Sequence, residues 1–441
     1  MKALKQYATA ESLDNFVVQL FDLWQKEDAP SKDKWAMYAL GFLGNEIAAI
    51  KLAPMIITWR SELKHQRVTW GLDCLKVMGT DTALMQLNGI AQKTRHKNLR
   101  QKALERLAAT AQQRGLTKEE LEDRIVPTCG LDEKGKRVFD FGSRQFEFIL
   151  TEGMKPQVRD EKGKIRANLP KPGKKDDLDK ANNAIAAWKI LKKQITQVCK
   201  IQGVRLEQAM ITQRRWNVEE FELRFVNHPL MTHLAQSIVW GGYSDRHERI
   251  VTFRIAEDRT YTDIEDETLS LEDVTQVGIV HPINLNEAEK QQWSQLWLDY
   301  KLFSPFPQCD RELFFPTPEE KETTVVTRFK DKTIPGIRLV SNFEKQGWER
   351  SGSTDGGGCN EHCKIYPHAN SIVYIGYTGG IALWDVRQSS DIEITNCIFK
   401  TLNRDDSGSR SIASQNKPLT LKDVDAIVFS EVMRDLTLLT R

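Results

Sequence analysis

The chain has 441 residues, a length that suits two to four domains and a buried core. Lysine plus arginine is 63 and aspartate plus glutamate is 61, and the resulting charge of +2 argues against binding nucleic acid by bulk charge alone. Hydrophobic residues at 40% and charged residues at 28% exclude a disordered or fibrous chain.

The first residues, MKALKQYATAESLDNF, hold no apolar core of signal-peptide length. The most apolar stretch, Trp35 to Ile50, is interrupted by Asn45 and Glu46, so a membrane span of about 20 residues does not fit. Seven cysteines, mostly scattered singly, read as reduced thiols of a cytoplasmic protein.

Residues 12–128 read as successive helices. Trp35, Leu40, Gly44, Ala48 and Leu52 are matched 35 residues later by Trp70, Leu75, Gly79, Ala83 and Leu87. That period suits two helices plus turns. Each glycine is expected to end a first helix in the left-handed conformation, with Asn45 and Thr80 opening the second. A third, degenerate unit covers Lys97 to about Val126. The pattern is that of a short HEAT-like helical repeat, although two unrelated hairpins of similar length would look alike.

From Gly130 three short strands are expected, around Val138, Gln145 and Lys155, with turns at Asp132-Glu-Lys-Gly, Gly142-Ser and Asp160-Glu-Lys-Gly. A Pro/Gly loop begins at Asn168, and a long helix runs from Asp177 to about Arg215. Beyond Ile250 the texture is mixed. A hairpin turns at Asp258-Arg259, a buried strand covers Val277 to His281, and Asn286-x-x-Glu289 is a capping box. A short helix is expected at Thr317. Strands are expected at 371–377, 381–387 and 392–399, and the apolar segment 423–439 closes the domain. The fold class is therefore α+β: HEAT-like repeats (1–129), a small antiparallel β-meander (130–168), a loop and long linking helix (169–227), and a mixed C-terminal domain (228–441).

Many short motifs carry a family resemblance, in order along the chain. Among them are Phe139-Asp-Phe-Gly, Lys155-Pro-x-Val-Arg-Asp, Leu169-Pro-Lys-Pro-Gly-Lys-Lys-Asp-Asp and Arg205-Leu-Glu-Gln-Ala-Met. Val277-Gly-Ile-Val-His-Pro, Ser304-Pro-Phe-Pro-Gln, Gly347-Trp and Phe429-Ser-Glu-Val-x-Arg-Asp-Leu complete them. The chain resembles the MolR-like (molybdate metabolism regulator-like) WGR-and-DUF family, with its C-terminal domain of unknown function 4132. The resemblance implies a regulatory component of a bacterial multi-component system, whose biochemical activity the family leaves undefined. By the same analogy the partners are proteins, a MoxR-type AAA+ ATPase or a von Willebrand A-domain protein. Relatives are often longer and carry an N-terminal WGR domain. No Trp-Gly-Arg motif occurs here, since Trp70-Gly-Leu and Trp240-Gly-Gly differ. The chain thus looks like a shortened member or a C-terminal portion.

Candidate chemistry is sparse. Cys359, His362, Cys363 and His368 are the candidate metal ligands, a thiolate and imidazole set for zinc. The alternative is a flexible loop after Asp355-Gly-Gly-Gly, and it is preferred because the ligand spacing is irregular. His228, His233 and His281 fit no catalytic motif. The acids Glu257, Asp258, Asp263, Glu265, Asp266 and Glu267 read as a solvated face. No P-loop, G-x-G-x-x-G or G-x-S-x-G motif is present.

Charge is split along the chain. Between Met154 and Gln194 twelve basic residues outnumber five acids, whereas from Ile255 to Lys290 ten acids face Arg259 and Lys290. Lys171, Lys174 and Lys175 are the candidate nucleic-acid contacts, because a Pro/Gly loop would let them reach phosphates. No aromatic platform interleaves them, so nucleic acid is the less favoured partner. The reading that results is a non-catalytic cytoplasmic regulatory or scaffold protein with protein partners and no cofactor, zinc excepted. The alternatives are an enzyme with an unmotifed site in the C-terminal domain and a nucleic-acid-binding regulator using residues 154–194.

Overall fold

The computed structural model describes residues 7–94, 96–113, 115–151, 154–351, 358–382, 391–402 and 417–441. The architecture is mixed α+β. It divides into two compact units, Met1–Gly203 with Glu220–Gln236, and Val204–Glu219 with Ser237–Arg441. The helical segment, the meander and most of the long helix lie in the first unit.

The first unit opens with helices α1 (Ala10–Lys26), α2 (Trp35–Leu43), α3 (Glu46–Ser61), α4 (His65–Met78), α5 (Asp81–Lys93), α6 (Lys97–Gln113) and α7 (Lys118–Arg124). The 35-residue spacing is realised as two helix pairs, with α2 packed on α4 and α3 on α5. The matched positions Leu40 and Leu75, Ala48 and Ala83, Leu52 and Leu87 are all fully buried in one core. Each such leucine contributes about 1.5–3 kcal/mol of burial, so the repeat is written where the packing energy lies.

Two expected helix caps are built differently. Gly79 is left-handed at φ 60° and ends α4, but Gly44 is extended at φ −68°. Gly44 is required by space instead: a Cβ there would lie 2.3 Å from the Leu40 carbonyl oxygen and 2.7 Å from the Ala48 Cβ. Asn45 does not cap α3. The buried Asp14 carboxylate of α1 accepts from the amides of Asn45 (2.7 Å), Ile47 (2.8 Å) and Ala48 (3.2 Å). A carboxylate from a neighbouring helix thus serves the orphan donors and the positive end of the α3 dipole. Thr80 caps α5 as expected.

The meander has four antiparallel strands, β1 (Val138–Asp140), β2 (Gln145–Thr151), β3 (Lys155–Asp160) and β4 (Ile165–Arg166), in that spatial order. The two Asp-Glu-Lys-Gly-Lys stretches make identical turns. Asp132 accepts from the amides of Lys134 and Lys136, and Asp160 from those of Lys162 and Lys164. Gly135 and Gly163 supply the positive φ. Phe139, Phe146 and Phe148 alternate inward along the sheet. Phe139 meets Trp188 of helix α8 (Leu178–Ile211) edge-on at 5.6 Å. Asp177 caps α8 by accepting from the amides of Asp179 and Lys180.

The second unit carries two antiparallel sheets. The first orders β5 (Arg215–Asn217), β10 (Gln276–Ile279), β6 (Trp240–Tyr243), β7 (Arg249–Ile255), β8 (Tyr261–Thr262) and β9 (Thr268–Leu269). The expected hairpin at Asp258-Arg259 joins β7 to β8. Asn286 and Glu289 form the expected capping box at the head of α10 (Glu287–Asp299), after α9 (Met231–Ala235) of the first unit. The second sheet orders β11 (Val325–Val326), β16 (Asp391–Thr401), β15 (Ser371–Ala382), β14 (Gly358–Tyr366) and β13 (Glu349–Ser351), with β12 (Thr333–Pro335) also on β16. Helices α11 (Gly336–Phe343) and α12 (Ala426–Thr440) complete the unit.

Two expectations fail here. The Thr317 helix is only a turn. Thr317 and Glu320 exchange the capping bonds, but the Glu320 carboxylate is engaged by Arg328, and Thr323 bonds back to Glu320 before β11 begins. The cysteine- and histidine-bearing segment is no loop, because 358–366 is an inner strand paired on both sides. Its buried residues read as irregular in sequence because both of its faces are covered. The Asp355 glycine run and part of the 381–387 strand lie outside the described residues.

Candidate functional site

A buried grouping of ionisable side chains in the second unit surrounds α12. Its sequence places Ser430, Glu431 and Asp435 among the apolar residues of its inward side, and all three are buried. Glu431 is met by Arg311 through two nitrogens, Nε to Oε1 at 2.6 Å and a terminal nitrogen to Oε2. The other terminal nitrogen of Arg311 donates to Glu207 (2.7 Å) and to the Pro307 carbonyl (3.1 Å). His281 follows β10. Its Nδ1 accepts from the amide of Ile283 (3.2 Å), so Nε2 carries the proton and donates to Glu431 (3.1 Å). Nearby, the Gln308 amide donates to the carbonyls of Val239 and Val280 and accepts from the Val239 amide, each at 2.9 Å. That single side chain pins the ends of β6 and β10 together.

One helical turn further, Asp435 accepts from the Trp348 indole at 2.9 Å and from the Lys364 ammonium at 3.0 Å. The same ammonium lies 5.8 Å from the Trp348 ring centre and 5.4 Å from that of Tyr366. Both ion pairs are almost wholly removed from water.

Electrostatics follow from this closure. Burial pushes the Glu431 carboxyl up, but hydrogen bonds from Arg311 and His281 outweigh it and hold the group down to about 2. Burial pushes His281 down, so its imidazole stays neutral beside a carboxylate that Arg311 already serves. Burial also opposes the Lys364 charge, and Asp435 more than restores it. Both Glu431 oxygens are occupied, as are the guanidinium nitrogens that face them. Such an array orients strands and a helix.

The candidate zinc ligands do not converge. Cys359 and His362 both reach the Tyr377 hydroxyl, at 3.4 Å from Sγ and 2.9 Å from Nδ1. Cys363 belongs to a separate apolar cluster with Ile372 and Tyr374, and His368 is exposed in the turn after β14. Among the described residues no group of three or more His, Cys, Asp or Glu is placed to hold a metal ion. His362 is fully buried, and its Nε2 has no hydrogen-bond partner among the described residues.

That burial has a measurable consequence. It pushes the His362 imidazole down to about 3, helped by the charge of Arg350. The unfolded chain takes up the proton near 6.5 and the folded chain does not. The contribution is therefore fully present above 6.5 and declines as pH falls towards 3. Urea unfolding at pH 7 and pH 5 is expected to show His362→Gln losing about 2 kcal/mol less than the unsubstituted chain over that interval. An unchanged pH dependence would show that the folded state accepts the proton.

The candidate nucleic-acid contacts Lys171, Lys174 and Lys175 are exposed, on a loop fixed at its base. Arg144 grips Asp176 at 2.8 Å, and Asp176 accepts from the Gly173 amide at 2.6 Å. The Arg144 guanidinium, with the Gly173 amide and the Ser143 hydroxyl, holds the Asp176 carboxyl down to about 2. His228 caps the turn before α9 through the amides of Leu230 and Met231, and His233 meets the Gly135 carbonyl. The acidic run mostly serves turns and pairs. Asp258 and Asp263 accept backbone amides, and Glu257 and Asp266 flank the buried Arg254.

The α12 network was not legible as a unit in the sequence, because its members lie as much as 228 positions apart, from Glu207 to Asp435. The signal was present in pieces. Glu207, His281, Gln308, Trp348, Glu431 and Asp435 each sit inside one of the short motifs quoted above.

Comparison with known proteins agrees in part. The chain is 37% identical over 351 residues to the protein described as Uncharacterized protein YehI of Escherichia coli (strain K12). That alignment covers 79% of this chain and 29% of the relative, so the chain spans less than a third of the length of the curated relative it matches. No solved structure matches. No helix among the described residues is long and apolar enough to cross a membrane. Residues 163–348, less than half of the chain, are similar to the family described as Domain of unknown function (DUF4132).

Proposed function

We infer that the chain is a non-catalytic interaction component of a multi-protein system, working through the surface of its helical stack. The observation that carries this reading is an aromatic ridge on α2. Trp35, Tyr38 and Phe42 recur at i, i+3 and i+7 on one face, and they are 55%, 40% and 48% exposed. The 35-residue repeat carries the ridge onto α4, where Trp70 is half-buried and Val77 exposed at the positions equivalent to Trp35 and Phe42. Stacked helix pairs of the HEAT type use such faces to bind other proteins. Large aromatic side chains supply contact area at low entropy cost. The closed α12 network supports the same reading, because it spends the buried charges of the second unit on its own architecture.

The resemblance to MolR-like proteins supplies candidate partners by analogy, a MoxR-type AAA+ ATPase or a von Willebrand A-domain protein of the kind often encoded near relatives. Size-exclusion chromatography of the co-expressed proteins tests the reading. Co-elution is expected for the unsubstituted chain and is expected to be lost for Trp35→Ser/Tyr38→Ser/Phe42→Ser, with the circular dichroism unchanged. Co-elution of that folded triple variant would remove the ridge from the account.

A further inference from the structure

The helix α8 holds a second surface, independent of the aromatic ridge. Between Lys180 and Leu206 the sequence contains no aspartate or glutamate, yet it carries Lys180, Lys189, Lys192, Lys193, Lys200 and Arg205. Lys189, Lys193 and Lys200 fall at i, i+4 and i+11, within about 40° of one another around the axis, with Thr196 between them. All four are exposed. The three lysines have no ion-pair partner among the described residues. Like charges at i, i+4 cost an isolated helix about 0.2–0.5 kcal/mol, and solvated helices ordinarily offset this with carboxylates one turn away. Here nothing on the helix does.

The surroundings extend the same sign. Lys192 donates to the Ala167 carbonyl (2.8 Å) and to Asn168 (3.0 Å), which fastens the segment after β4 against the stripe. Lys164 precedes β4, and the candidate loop lysines 171, 174 and 175 follow it. The arginines of this region are already committed, Arg144 to Asp176, Arg159 to Glu147 and Arg166 to Asp160. What remains outward is lysine, with an aliphatic side chain beside it: Ile190 is 41% exposed next to Lys193.

We propose that this face of α8 with the adjoining loop is a docking surface for an acidic protein segment that carries an aliphatic anchor. Lysine ammonium groups attract and steer carboxylates without demanding planar geometry, and the exposed Ile190 gives the segment an apolar position to cover. Nucleic acid fits less well. The aromatic residues of this region, Phe139, Phe141, Phe146, Phe148 and Trp188, are all buried, so no base has a ring to stack on. The guanidinium forks best suited to phosphate are paired internally.

Fluorescence anisotropy on the full chain tests this. The probe is a labelled synthetic 20-residue peptide of glutamate and leucine, compared with a glutamate–serine peptide of the same charge and with a single-stranded and a duplex DNA of 20 nucleotides. The glutamate–leucine peptide is expected to bind at low salt, at least fivefold tighter than the glutamate–serine peptide and tighter than either DNA. Lys189→Gln/Lys193→Gln/Lys200→Gln is expected to weaken it at least tenfold, and the corresponding arginine variant to retain it. Tighter binding of either DNA, equal binding of the two peptides, or an unaffected glutamine variant overturns the proposal. Co-elution at the aromatic ridge is a separate readout, so either surface can fail alone.

Discussion

Replacing Glu431 by alanine is expected to destabilise the second unit by about 3–5 kcal/mol, the cost of leaving a buried partner charge unpaired. Arg311 would keep Glu207, which lies towards solvent, and the Pro307 carbonyl, both on one terminal nitrogen, and His281 would lose the acceptor of its Nε2 proton. The loss comes from stranded donors more than from the value of the pair itself, since the pair's Coulomb energy is spent largely on desolvation. Denaturant titration of the full chain, followed by the tryptophans of the second unit, reads it. The same carboxylate makes the unit acid-sensitive. Its folded pKa is depressed to about 2 from an ordinary 4.5, so its contribution is present above 4.5 and disappears as pH falls towards 2. Glu431→Ala is expected to lack that acid-dependent component. A variant within about 1 kcal/mol of the unsubstituted chain would mean that water replaces the carboxylate, contrary to the burial seen here.

The Lys364–Asp435 pair is expected to give a different pattern. Asp435→Ala should cost about 3–5 kcal/mol, because it leaves the Lys364 ammonium and the Trp348 indole without their shared acceptor. Lys364→Met should cost less, since Trp348 still donates to Asp435 and the methionine stem occupies the space between the two rings. Lys364→Gln with Asp435→Asn should recover most of the loss from Asp435→Ala, by keeping a donor and an acceptor without buried charge. The double-mutant cycle measures the coupling. Additive effects would show that the two residues do not share one buried site.

The contrast between these residues and the helical repeat shows what a sequence discloses. Leu40 and Leu75, or Leu52 and Leu87, announce themselves because the spacing that makes them a core is local and periodic. The turns at Asp132 and Asp160, the cap at Asn286 and the start of α8 are equally local. Asp14 is the counter-example. It lies 31 residues before the amides it caps, and only packing of α1 against α3 brings it there. β14 is another. Cys359, His362, Cys363 and Lys364 suggest a polar loop, but neighbouring strands and the α12 carboxylates make them interior. The aromatic residues of 293–306 recur at close spacing, as core residues would, yet their burial differs. Trp293 and Phe306 are buried, whereas Tyr300 and Phe303 are exposed, with Tyr300 stacked over Arg254. Long-range pairing decided each of these cases, and no window of sequence contains it.

The bounds of the family match illustrate the same physics. Residues 163–348 include His281, Gln308, Arg311 and Trp348 but stop before Glu431 and Asp435, which complete their hydrogen bonds. A fragment cut at residue 348 would take Glu431 from Arg311 and His281 and leave the Trp348 indole without its acceptor, and the compact unit runs on to Arg441.

The central claim is that the chain acts through its exterior, at the aromatic ridge of α2, and that the α12 charges only hold the fold. Hydrogen exchange of the full chain, alone and saturated with whichever partner co-elutes, tests it most directly. The account predicts slowed exchange across Trp35–Leu43 and His65–Met78, with the strands Gly358–Tyr366 and Ser371–Ala382 and the helix Ala426–Thr440 unchanged. Protection confined to those second-unit segments, with α2 exchanging as in the free chain, would contradict it.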